Sequence, residues 1–452
     1  MSFPADIFAG ARFAVVGLGR NGLPAARALA AMGATVTAWD DAQDARAEAV
    51  RAGVDVAPPV IAGLDALVLS PGIPHALPAP HPLAAAARAA GVPILSDADL
   101  LYRAVRAAGS HARFVGVTGT NGKSTTTALF AHIAAGAGVA VAAGGNLGPA
   151  ALALPLLPDD GIYALEMSSY MLERLARLRF DAAAMLNLSA DHLDRHGDMA
   201  GYIRAKRAIF DRQAGGDTAV LGIDDAPSRA LAAGLAARRV TISAADRTAD
   251  VAAAGGMLRD RDGILCDLGT AAALPGAHNA QNAAAAAALA LALGLGRAAI
   301  AQGVLSFPGL PHRQERVGCA GGVLFVNDSK ATNADAAARA LVCYPRVVWI
   351  AGGIAKQGGI AELAPLLPRV ARAFLIGRDA DILAGTLAQH GVPHSRAGTL
   401  EAAVPAAYAA ARAGGAPVVL LSPACASFDQ FSGFEARGDR FRALVGALAE
   451  AA

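Results

Sequence analysis

The segment Thr118–Thr125 has the residue types of a phosphate-binding loop. It reads Thr-Gly-Thr-Asn-Gly-Lys-Ser-Thr and follows the apolar run Phe114–Val117. The amides of such a loop cradle phosphates, while Lys123 can reach the β- and γ-phosphates and Ser124 can hold Mg²⁺. Val117 stands where a strict Walker A motif has its first glycine, so the loop is a variant. The spacing still predicts a nucleoside triphosphate site between a strand and a helix.

Acidic and histidine side chains follow two further apolar runs. Glu166 ends the run Ile162–Glu166, where a carboxylate can ligate Mg²⁺ or merely cap the next helix. The segment Ser189–His196 carries two acids and two histidines after the run Ala184–Leu188, and it fits either a site or a solvated loop. Lys206 follows on a predicted helix, and a single helical lysine is more typical of a surface charge.

A glycine-rich turn near the N-terminus also has the spacing of a nucleotide site. The sequence Gly17-Leu-Gly-Arg-Asn-Gly22 follows the run Arg12–Val16, and Asp40 ends the next run, Thr35–Trp39. Such a pattern is typical of dinucleotide sites, whose pyrophosphate lies at a helix N-terminus, and nucleotide-sugar sites share it. The turn Ser70–Ile73, after another buried run, could meet the same ligand. A tight turn without any ligand is the alternative interpretation.

The last third of the chain contains three strand-like runs that each end in a polar turn. The runs are Val323–Val326, Val347–Ile350 and Val418–Leu421, and the turns are 327–333, 351–356 and 422–431. Each run with its following helix makes a βα unit. We therefore expect a parallel sheet in which polar residues meet at one edge.

The composition excludes several classes of protein. Of the 452 residues, 54% are hydrophobic, and 39 Lys+Arg against 37 Asp+Glu leave a formal charge of +2. Disordered chains have lower hydrophobicity and higher net charge, and nucleic-acid binders carry a basic excess. The mean hydropathy is +0.40. However, the most apolar window, Ala283–Gly296, is mostly Ala and Gly and is shorter than the about 20 residues of a membrane span.

The length of the chain predicts the number of domains, and its cysteines bear on disulfides and metal binding. At about 100–200 residues per domain, the length predicts about three domains, and the motifs divide the chain at 1–106, 107–309 and 310–452. The expected class is α/β, with Rossmann-like outer domains and a central P-loop ATPase-like domain. Four widely spaced cysteines form no zinc motif, and the N-terminus lacks the pattern of a signal peptide. We expect a soluble, cytoplasmic protein without disulfides.

Seven motifs occur in the order typical of the Mur ligases of peptidoglycan synthesis, and the chain resembles that family over nearly its whole length. The motifs are Thr118–Thr125, Glu166–Ser169, Asp191–Asp194, His278–Asn282, Leu310–Arg313, Asn327–Asn333 and Ser422–Phe431. The last two most closely resemble the branch of the family that adds D-glutamate.

The resemblance implies an ATP-dependent amide ligase. The carboxylate of UDP-N-acetylmuramoyl-L-alanine would attack the γ-phosphate of ATP, and the amine of D-glutamate would then displace phosphate from the acyl phosphate. Such a transfer needs positioning and charge neutralisation. The implied partners are small molecules, without nucleic acid or a membrane span, and a monomer is expected.

The resemblance also implies roles for individual residues. Catalytic roles fall to Lys123, His192, Lys206 and Lys356. ATP binding is implied for Gly119, Thr120, Asn121, Gly122, Lys123, Ser124, Thr125, Asn279, Asn282, Arg313 and Asp328. Two Mg²⁺ sites would use Ser124, Glu166, His192 and Lys206, the last as a carbamate formed with CO₂. The domain 1–106 would bind the UDP-sugar through Arg20, Asn21, Ser70 and Gly72, and Asn146 and Ser168 of the domain 107–309 would be further contacts. The domain 310–452 would bind D-glutamate through Lys330, Thr332, Lys356, Ser427, Phe428 and Phe434.

The chain departs from the family pattern at two places. Many members carry an arginine after the acid at the end of the second strand, but here Asp40 is followed by Asp-Ala-Gln, so Arg46 or another group would have to serve. Tyr170 and Met171 stand where the family has Phe-Gln, which removes the polar side chain at position 171.

Three other functions remain open at this point. An NAD-dependent dehydrogenase would use Gly17–Gly22 and Asp40 but leaves Gly122–Ser124 and Asp328–Thr332 unexplained. A folylpolyglutamate synthetase also adds glutamate, but it lacks a full N-terminal nucleotide-sugar domain. A non-catalytic relative would be expected to lose the lysines or the metal carboxylate.

Overall fold

Three sheets, each mostly parallel, carry the turns on which the predicted site depends. The computed structural model describes the backbone of residues 1–450 and the side chains of residues 1–448. The chain divides into two compact units. Unit 1 contains residues 1–271 and 277–307, and unit 2 contains residues 272–276 and the chain from Pro308 onward.

The N-terminal sheet of unit 1 has four parallel strands in the order β2-β1-β3-β4. Its strands are β1 (Arg12–Val16), β2 (Thr35–Trp39), β3 (Ala66–Leu69) and β4 (Ile94–Leu95). The accompanying helices are α1 (Gly22–Ala31), α2 (Gln43–Arg51), α3 (Pro82–Ala89) and α4 (Asp97–Ala107). Because β1 lies between β2 and β3, the turns after these three strands share one edge of the sheet.

The second sheet of unit 1 has nine strands in the order β13-β12-β11-β10-β9-β8-β5-β7-β6. The first seven in the chain, which are mutually parallel, are β5 (Arg113–Thr118), β6 (Val141–Gly145), β7 (Ile162–Glu166), β8 (Ala182–Met185), β9 (Thr218–Gly222), β10 (Arg238–Ser243) and β11 (Val251–Ala252). The antiparallel strands β12 (Met257–Asp260) and β13 (Gly263–Asp267) extend it. Its helices are α5 (Lys123–Gly136), α6 (Ser169–Leu172), α7 (Leu193–His196), α8 (Met199–Arg207), α9 (Ala226–Ala230), α10 (Ala277–Ala292) and α11 (Arg297–Ser306).

The sheet of unit 2 has six strands in the order β14-β15-β19-β16-β17-β18. The strands are β14 (Glu315–Ala320), β15 (Val323–Asn327), β16 (Val347–Gly352), β17 (Val370–Ile376), β18 (His394–Gly398) and β19 (Val418–Leu421), and β14 alone pairs in the antiparallel sense. The helices are α12 (Ala334–Leu341), α13 (Ala380–Gln389), α14 (Leu400–Gly414) and α15 (Phe434–Glu450). Short 3₁₀ helices span Ala151–Ala153, Ala254–Gly256, Leu268–Thr270 and Ala361–Arg369.

Local sequence explains where these elements form. Strands β7 and β8 are buried along their whole length, which suits the uninterrupted apolar runs of a parallel sheet covered on both faces. Side-chain caps start the helices: Asp198 accepts the amide of Gly201 at 2.7 Å at the start of α8, and Asn333 caps α12 in the same way.

The predicted α/β class is confirmed, and the strands predicted at Thr35–Trp39, Ala66–Leu69 and Val418–Leu421 match residue for residue. The predicted run Ala184–Leu188 is wrong in its bounds, because β8 ends at Met185. Beyond that point Asn187 accepts the amide of Thr120 instead, and the Leu188 amide donates to Asp225.

Further findings bear on the expectations from composition. Within residues 1–450, no helix combines the length and the hydropathy that crossing a membrane requires. The cysteines at positions 266, 319, 343 and 425 are free thiols. The division at 1–106, 107–309 and 310–452 stays a prediction.

Candidate active site

The conformation of the phosphate-binding loop of unit 1 is set by its glycines and by Asn187, which follows the neighbouring strand. Gly122 has a φ of +85° at the start of α5, and a Cβ there would lie 2.1 Å from Oδ1 of Asn282. Asn187, just beyond β8, accepts the amide of Thr120 at 2.8 Å through its carbonyl and that of Asn121 at 2.9 Å through Oδ1. These contacts to Asn187 and Asn282 define the shape of the loop.

Two lysines converge on the carbonyl of Gly119. Lys123 Nζ donates to that oxygen at 3.0 Å and to the Thr120 carbonyl at 2.9 Å. Lys206 Nζ donates to the same Gly119 oxygen at 2.8 Å and to Oγ1 of Thr118 at 3.3 Å. The expectation from spacing alone that Lys206 is a surface charge is wrong, since it is only 2% exposed. The inward face of α8 also carries Tyr202, so the helix packs with its lysine toward the loop.

This environment disfavours the charged form of Lys206. Burial, together with the positive charge of Lys123, lowers the pKa of Lys206 well below its usual 10.5, although Asp191 and Glu166 oppose the shift. The neutral amine is therefore more favoured here than it is for a solvent-exposed lysine.

Hard oxygen donors lie at the end of β7, next to the first turn of α5. Glu166 is 2% exposed, and its two carboxylate oxygens accept from Ser124 Oγ at 2.6 Å and from Asn146 Nδ2 at 2.7 Å. A carboxylate and a hydroxyl beside a phosphate loop suit Mg²⁺. In residues 1–448, no three His, Cys, Asp or Glu side chains form a complete metal-binding cluster. A Mg²⁺ ion would therefore need oxygens from the nucleotide as well, as is usual for this ion.

The loop before α7 carries the second group of predicted ligands. His192 has a φ of +52°, and its Nε2 lies 3.4 Å from Asp191 Oδ2. Partial burial lowers the pKa of His192; Lys206 and Lys123 add to that shift, while Asp191 opposes it. A neutral imidazole is the form that can ligate a metal ion.

Sequence reasoning did not anticipate the role of His196. This buried ring bonds to Oε1 of Glu173 at 3.1 Å through Nδ1 and to Oγ of Ser169 at 2.9 Å through Nε2. It thereby joins α7 to α6, the helix that follows Glu166 and Ser168. The only signal in the sequence was that the segment Ser189–His196 contains a second histidine.

Two asparagines of α10 complete this part of unit 1. Asn282 accepts from Oγ1 of Thr126 at 3.3 Å and donates to Oδ1 of Asn279 at 3.0 Å, and both asparagines are buried. The first turns of α10 thus lie against α5. Two of the residues predicted to bind ATP therefore lie beside the phosphate loop.

The turn Gly17–Gly22 is shaped by its glycines and by Ser70. A Cβ at Gly22 would lie 1.7 Å from the carbonyl oxygen of Gly17. Gly17 has a φ of +88°, and its carbonyl accepts a hydrogen bond from Ser70 Oγ at 2.7 Å. Asn21 Nδ2 is buried without a hydrogen-bond partner. A buried donor of this kind is costly unless a ligand satisfies it.

Asp40 acts on the backbone of this turn. Its Oδ2 accepts the amide of Leu18 at 2.6 Å, and its Oδ1 accepts the amide of Ala42 at 2.9 Å. A dehydrogenase would need this acid for the ribose hydroxyls of NAD, and both oxygens are already engaged. Arg46 donates to the carbonyl of Asp40 at 2.6 Å and lies 4.7 Å above the ring of Trp39, so it stands at the end of β2.

Unit 2 carries the remaining predicted residues. Asp328 is buried after β15, where Ser422 Oγ donates to its Oδ2 at 2.7 Å and the Gln314 amide donates to its Oδ1 at 3.2 Å. Burial raises the pKa of Asp328 to about 7, although the hydrogen bonds from Ser422 and Gln314 and the positive charge of Arg313 act to lower it. Between about pH 4 and pH 7, the folded protein therefore holds this proton more tightly than the unfolded chain, and stability falls as the pH rises.

The residues predicted to bind D-glutamate have contrasting environments in unit 2. Lys330 Nζ lies 3.8 Å above the ring of Phe434, while Ser427 is buried. Lys356 is exposed and Thr332 is half-buried. Phe428 is 72% exposed. Strands β15, β19 and β16 are neighbours, so the three polar turns do meet at one edge of the sheet.

Arg437 was not anticipated from the sequence and holds these turns together. Its guanidinium, 1% exposed, donates to Oγ and the carbonyl of Ser329 at 3.0 and 2.9 Å, to the Cys425 carbonyl at 3.1 Å and to the Gly352 carbonyl at 3.4 Å. Burial lowers the pKa of Arg437 to about 10. One side chain of α15 therefore ties the ends of β15, β16 and β19.

Comparison with known proteins agrees with this geometry. Residues 117–290 match the family described as the Mur ligase middle domain, and residues 312–425 match the Mur ligase glutamate ligase domain. A protein of Paramagnetospirillum magneticum named UDP-N-acetylmuramoylalanine–D-glutamate ligase is 52% identical over 448 residues, covering 97% of each chain. A Caulobacter vibrioides protein of the same name is 50% identical, covering 96% of this chain and 95% of that one.

Solved structures share the fold at low sequence identity. UDP-N-acetylmuramate-alanine ligase of Thermotoga maritima has a TM-score of 0.60 at 18% identity and covers 96% of this chain and 99% of that chain. MurF of Acinetobacter baumannii has a TM-score of 0.60 at 19% identity, with coverages of 100% and 93%. With near-full-length relatives at half identity and two matched domains, the chain belongs to the Mur ligase family.

Proposed function

We propose that this protein joins D-glutamate to UDP-N-acetylmuramoyl-L-alanine, using ATP and an acyl-phosphate intermediate. The observation that carries the proposal is the group of buried Ser124, Glu166 and Lys206 with partly buried Lys123 around one phosphate-binding loop. The relatives at about 50% identity bear the name of this reaction. The reaction belongs to peptidoglycan precursor synthesis and would take place in the cytoplasm, where ATP is available, with the protein acting as a monomer.

The chain supplies charge and position for phosphoryl transfer. Lys123, released from the Gly119 and Thr120 carbonyls, would contact the β- and γ-phosphates, and the start of α5 would present its amides to them. Ser124 and Glu166 would hold one Mg²⁺, and His192 with Lys206 a second. These ions would supply charge neutralisation on the phosphates.

The environment of Lys206 supports its conversion to a carbamate. A neutral lysine amine attacks CO₂, a nitrogen–carbon bond forms, and one proton leaves to solvent, which yields an anionic carbamate. The lowered pKa of Lys206 favours the neutral amine that this step needs. The product would replace a buried amine beside Lys123 with an anion, and it would provide an oxygen ligand for the metal.

The two other substrates would occupy the predicted contacts on each unit. The uridine diphosphate end would bind Arg20, Asn21, Ser70 and Gly72, with Asn146 and Ser168 toward the sugar. The unsatisfied Nδ2 of Asn21 supports this assignment. D-glutamate would bind Lys330, Thr332, Lys356, Ser427, Phe428 and Phe434, since its two carboxylates require cationic or hydroxyl donors.

The test is phosphate release from ATP with UDP-N-acetylmuramoyl-L-alanine and one amino acid at a time. We expect turnover with D-glutamate and at least about a hundredfold less with L-glutamate, D-alanine or L-alanine. Lys123→Met should abolish turnover, and Arg207→Met, a change at a partly exposed position of α8, should not. Equal turnover with another amino acid, or NADH oxidation in place of phosphate release, would refute the proposal.

A further inference from the structure

Two arginines that follow the nucleotide-binding strands bond to one turn of the N-terminal sheet, the turn 70–73. Arg174 donates through Nη1 to the carbonyls of Leu69 at 2.7 Å and Ser70 at 3.1 Å, and through Nη2 to that of Ile73 at 2.6 Å. Arg195 donates through Nη1 to the Gly72 carbonyl at 2.9 Å and through Nη2 to the Ile73 carbonyl at 3.4 Å. All of these residues belong to unit 1.

The two arginines differ in their freedom to move. Arg174 is 3% exposed and lies two residues after the end of α6, so it is a fixed anchor for the turn. Arg195 is half-buried and lies in α7, three residues after His192. A displacement of the turn 70–73 would therefore act on the His192 loop through Arg195.

A packed group of rings connects Arg195 to the predicted metal ligand. The guanidinium of Arg195 lies 4.3 Å above the ring of Tyr170. The same ring lies 5.2 Å from His192 and stacks on His196 at 5.5 Å. Tyr170 stands where the family pattern has phenylalanine, so an aromatic face is kept at this position. Arg195 and His192 therefore contact the same ring, and a shift of Arg195 would act on the ring against which His192 packs.

The turn 70–73 is also joined to the glycine turn of the N-terminal sheet. Ser70 Oγ donates to the Gly17 carbonyl at 2.7 Å, and the Ser70 amide donates to the Val16 carbonyl at 2.9 Å. A sugar nucleotide bound at Asn21 and Ser70 would act on this turn directly. Binding of the sugar nucleotide can therefore change the position of the turn 70–73, and with it the Gly72 and Ile73 carbonyls to which Arg195 donates.

We infer that Arg195 is a positioning residue that couples sugar-nucleotide binding at the turn 70–73 to nucleotide binding beside His192. The inference rests on the proposed function for the identity of the two ligands. Arginine suits this role because its planar fork bonds two carbonyls while its face stacks on Tyr170. Lysine at this position could keep the charge but not both contacts. Coupling of this kind must be reciprocal, since each ligand changes the affinity of the other by the same factor.

Calorimetric titration of the full chain measures this coupling. A non-hydrolysable ATP analogue with Mg²⁺ is titrated in the absence and the presence of saturating UDP-N-acetylmuramoyl-L-alanine, and the order is then reversed. Arg195→Met and Arg195→Lys are compared with Arg207→Met. Arg207 is a matched control because it lies on α8 in the same region, is partly exposed, and has its guanidinium paired with the surface residue Asp211 at 2.8 Å.

In the wild-type protein and in Arg207→Met, each ligand is expected to tighten the other by at least about fivefold. In Arg195→Met, each ligand alone should bind within about threefold of the wild type, but the mutual enhancement should disappear. Arg195→Lys should retain only part of it, and it serves as the test if the methionine variant does not fold. Full enhancement in both variants, or none in the wild type, would overturn the inference. If the sugar nucleotide failed to bind the wild type at all, the proposed function would fail first.

Discussion

Replacing Lys206 with methionine separates the chemical role of this side chain from its packing. Methionine has a similar length and an adaptable shape, so it can fill the buried space that the lysine stem occupies. What it removes is the amine, and with it the hydrogen bonds to Gly119 and Thr118 and the group that would become a carbamate. We expect Lys206→Met to fold and to lose activity.

The contacts around Lys206 set the magnitude of the stability change. The Gly119 carbonyl keeps its bond from Lys123 at 3.0 Å, and Oγ1 of Thr118 keeps its own bond to the Met167 carbonyl at 2.8 Å. Two lost bonds therefore cost about 1 kcal/mol each. Removing a buried amine beside Lys123 offsets much of that loss. The net change should stay below about 2 kcal/mol, which corresponds to a Tm shift of less than about 8 °C.

The loss of activity should be much larger than the loss of stability. Removing one preorganised charge-stabilising group typically lowers kcat by about 10²–10³, or about 3–4 kcal/mol of transition-state stabilisation. Phosphate release and thermal unfolding are measured on Lys206→Met and on Arg207→Met, whose kcat and Tm should be unchanged. Removal of dissolved CO₂ should lower the activity of the wild type, and bicarbonate should restore it; the methionine variant should not respond.

Two results would refute this reasoning. A kcat within tenfold of the wild type in a folded Lys206→Met variant would show that the amine is not needed. Wild-type activity that is indifferent to CO₂, together with no labelled carbamate carbon after incubation with ¹³C-bicarbonate, would show that the amine acts without being modified.

Three further predictions address other parts of the site. Glu166→Gln should raise the Mg²⁺ concentration for half-maximal phosphate release by at least about tenfold, since a buried anionic ligand becomes neutral; an unchanged titration would contradict the metal assignment. Gly22→Ala should lower the Tm, because its Cβ would overlap the Gly17 carbonyl, whereas Gly19→Ala meets nothing within 4 Å and should keep the wild-type Tm. Equal Tm values would count against the turn geometry. Asp328→Asn should stabilise the protein at pH 8 by about 1–4 kcal/mol, with a smaller gain at pH 5, because the native carboxyl with a pKa of about 7 is then already protonated. Parallel Tm profiles of variant and wild type between pH 5 and 8 would contradict the buried state of this acid.

The sequence was sufficient to predict the parts of the site that depend on local patterns. The loop around Lys123 is a contiguous motif between an apolar run and a helix, so its position follows from neighbouring residues, whereas its shape also depends on the distant Asn187. The ends of β15, β16 and β19 could be expected to meet because parallel strands align their carboxyl ends. The run at Ala184–Leu188 was less well predicted, because Asn187 leaves the strand to bond with residues that are distant in the sequence.

The residues that were missed act over long sequence separations. Arg437 contacts carbonyls at Ser329, Gly352 and Cys425, and Arg174 contacts the turn 70–73 about a hundred residues earlier. Backbone carbonyls have no sequence signature, so nothing in the chain marks the partner of such an arginine. The burial of Lys206 was hidden for a similar reason. Which face of a short helix turns inward is decided by the sheet that it covers.

The net charge of the chain is near zero, but its buried arginines and the lysines of the phosphate loop have different roles. The guanidinium groups of Arg174 and Arg437 are buried, remain protonated and donate to several backbone carbonyls. They therefore hold in place the turns to which those carbonyls belong. Lys123 and Lys206 each hold the Gly119 carbonyl with a single ammonium or amine. Such a group can leave that oxygen for a phosphate, and a neutral one can react with CO₂, which a guanidinium cannot do. In the proposed reaction Lys123 and Lys206 would therefore change partners, whereas Arg174 and Arg437 would keep the carbonyls that they hold.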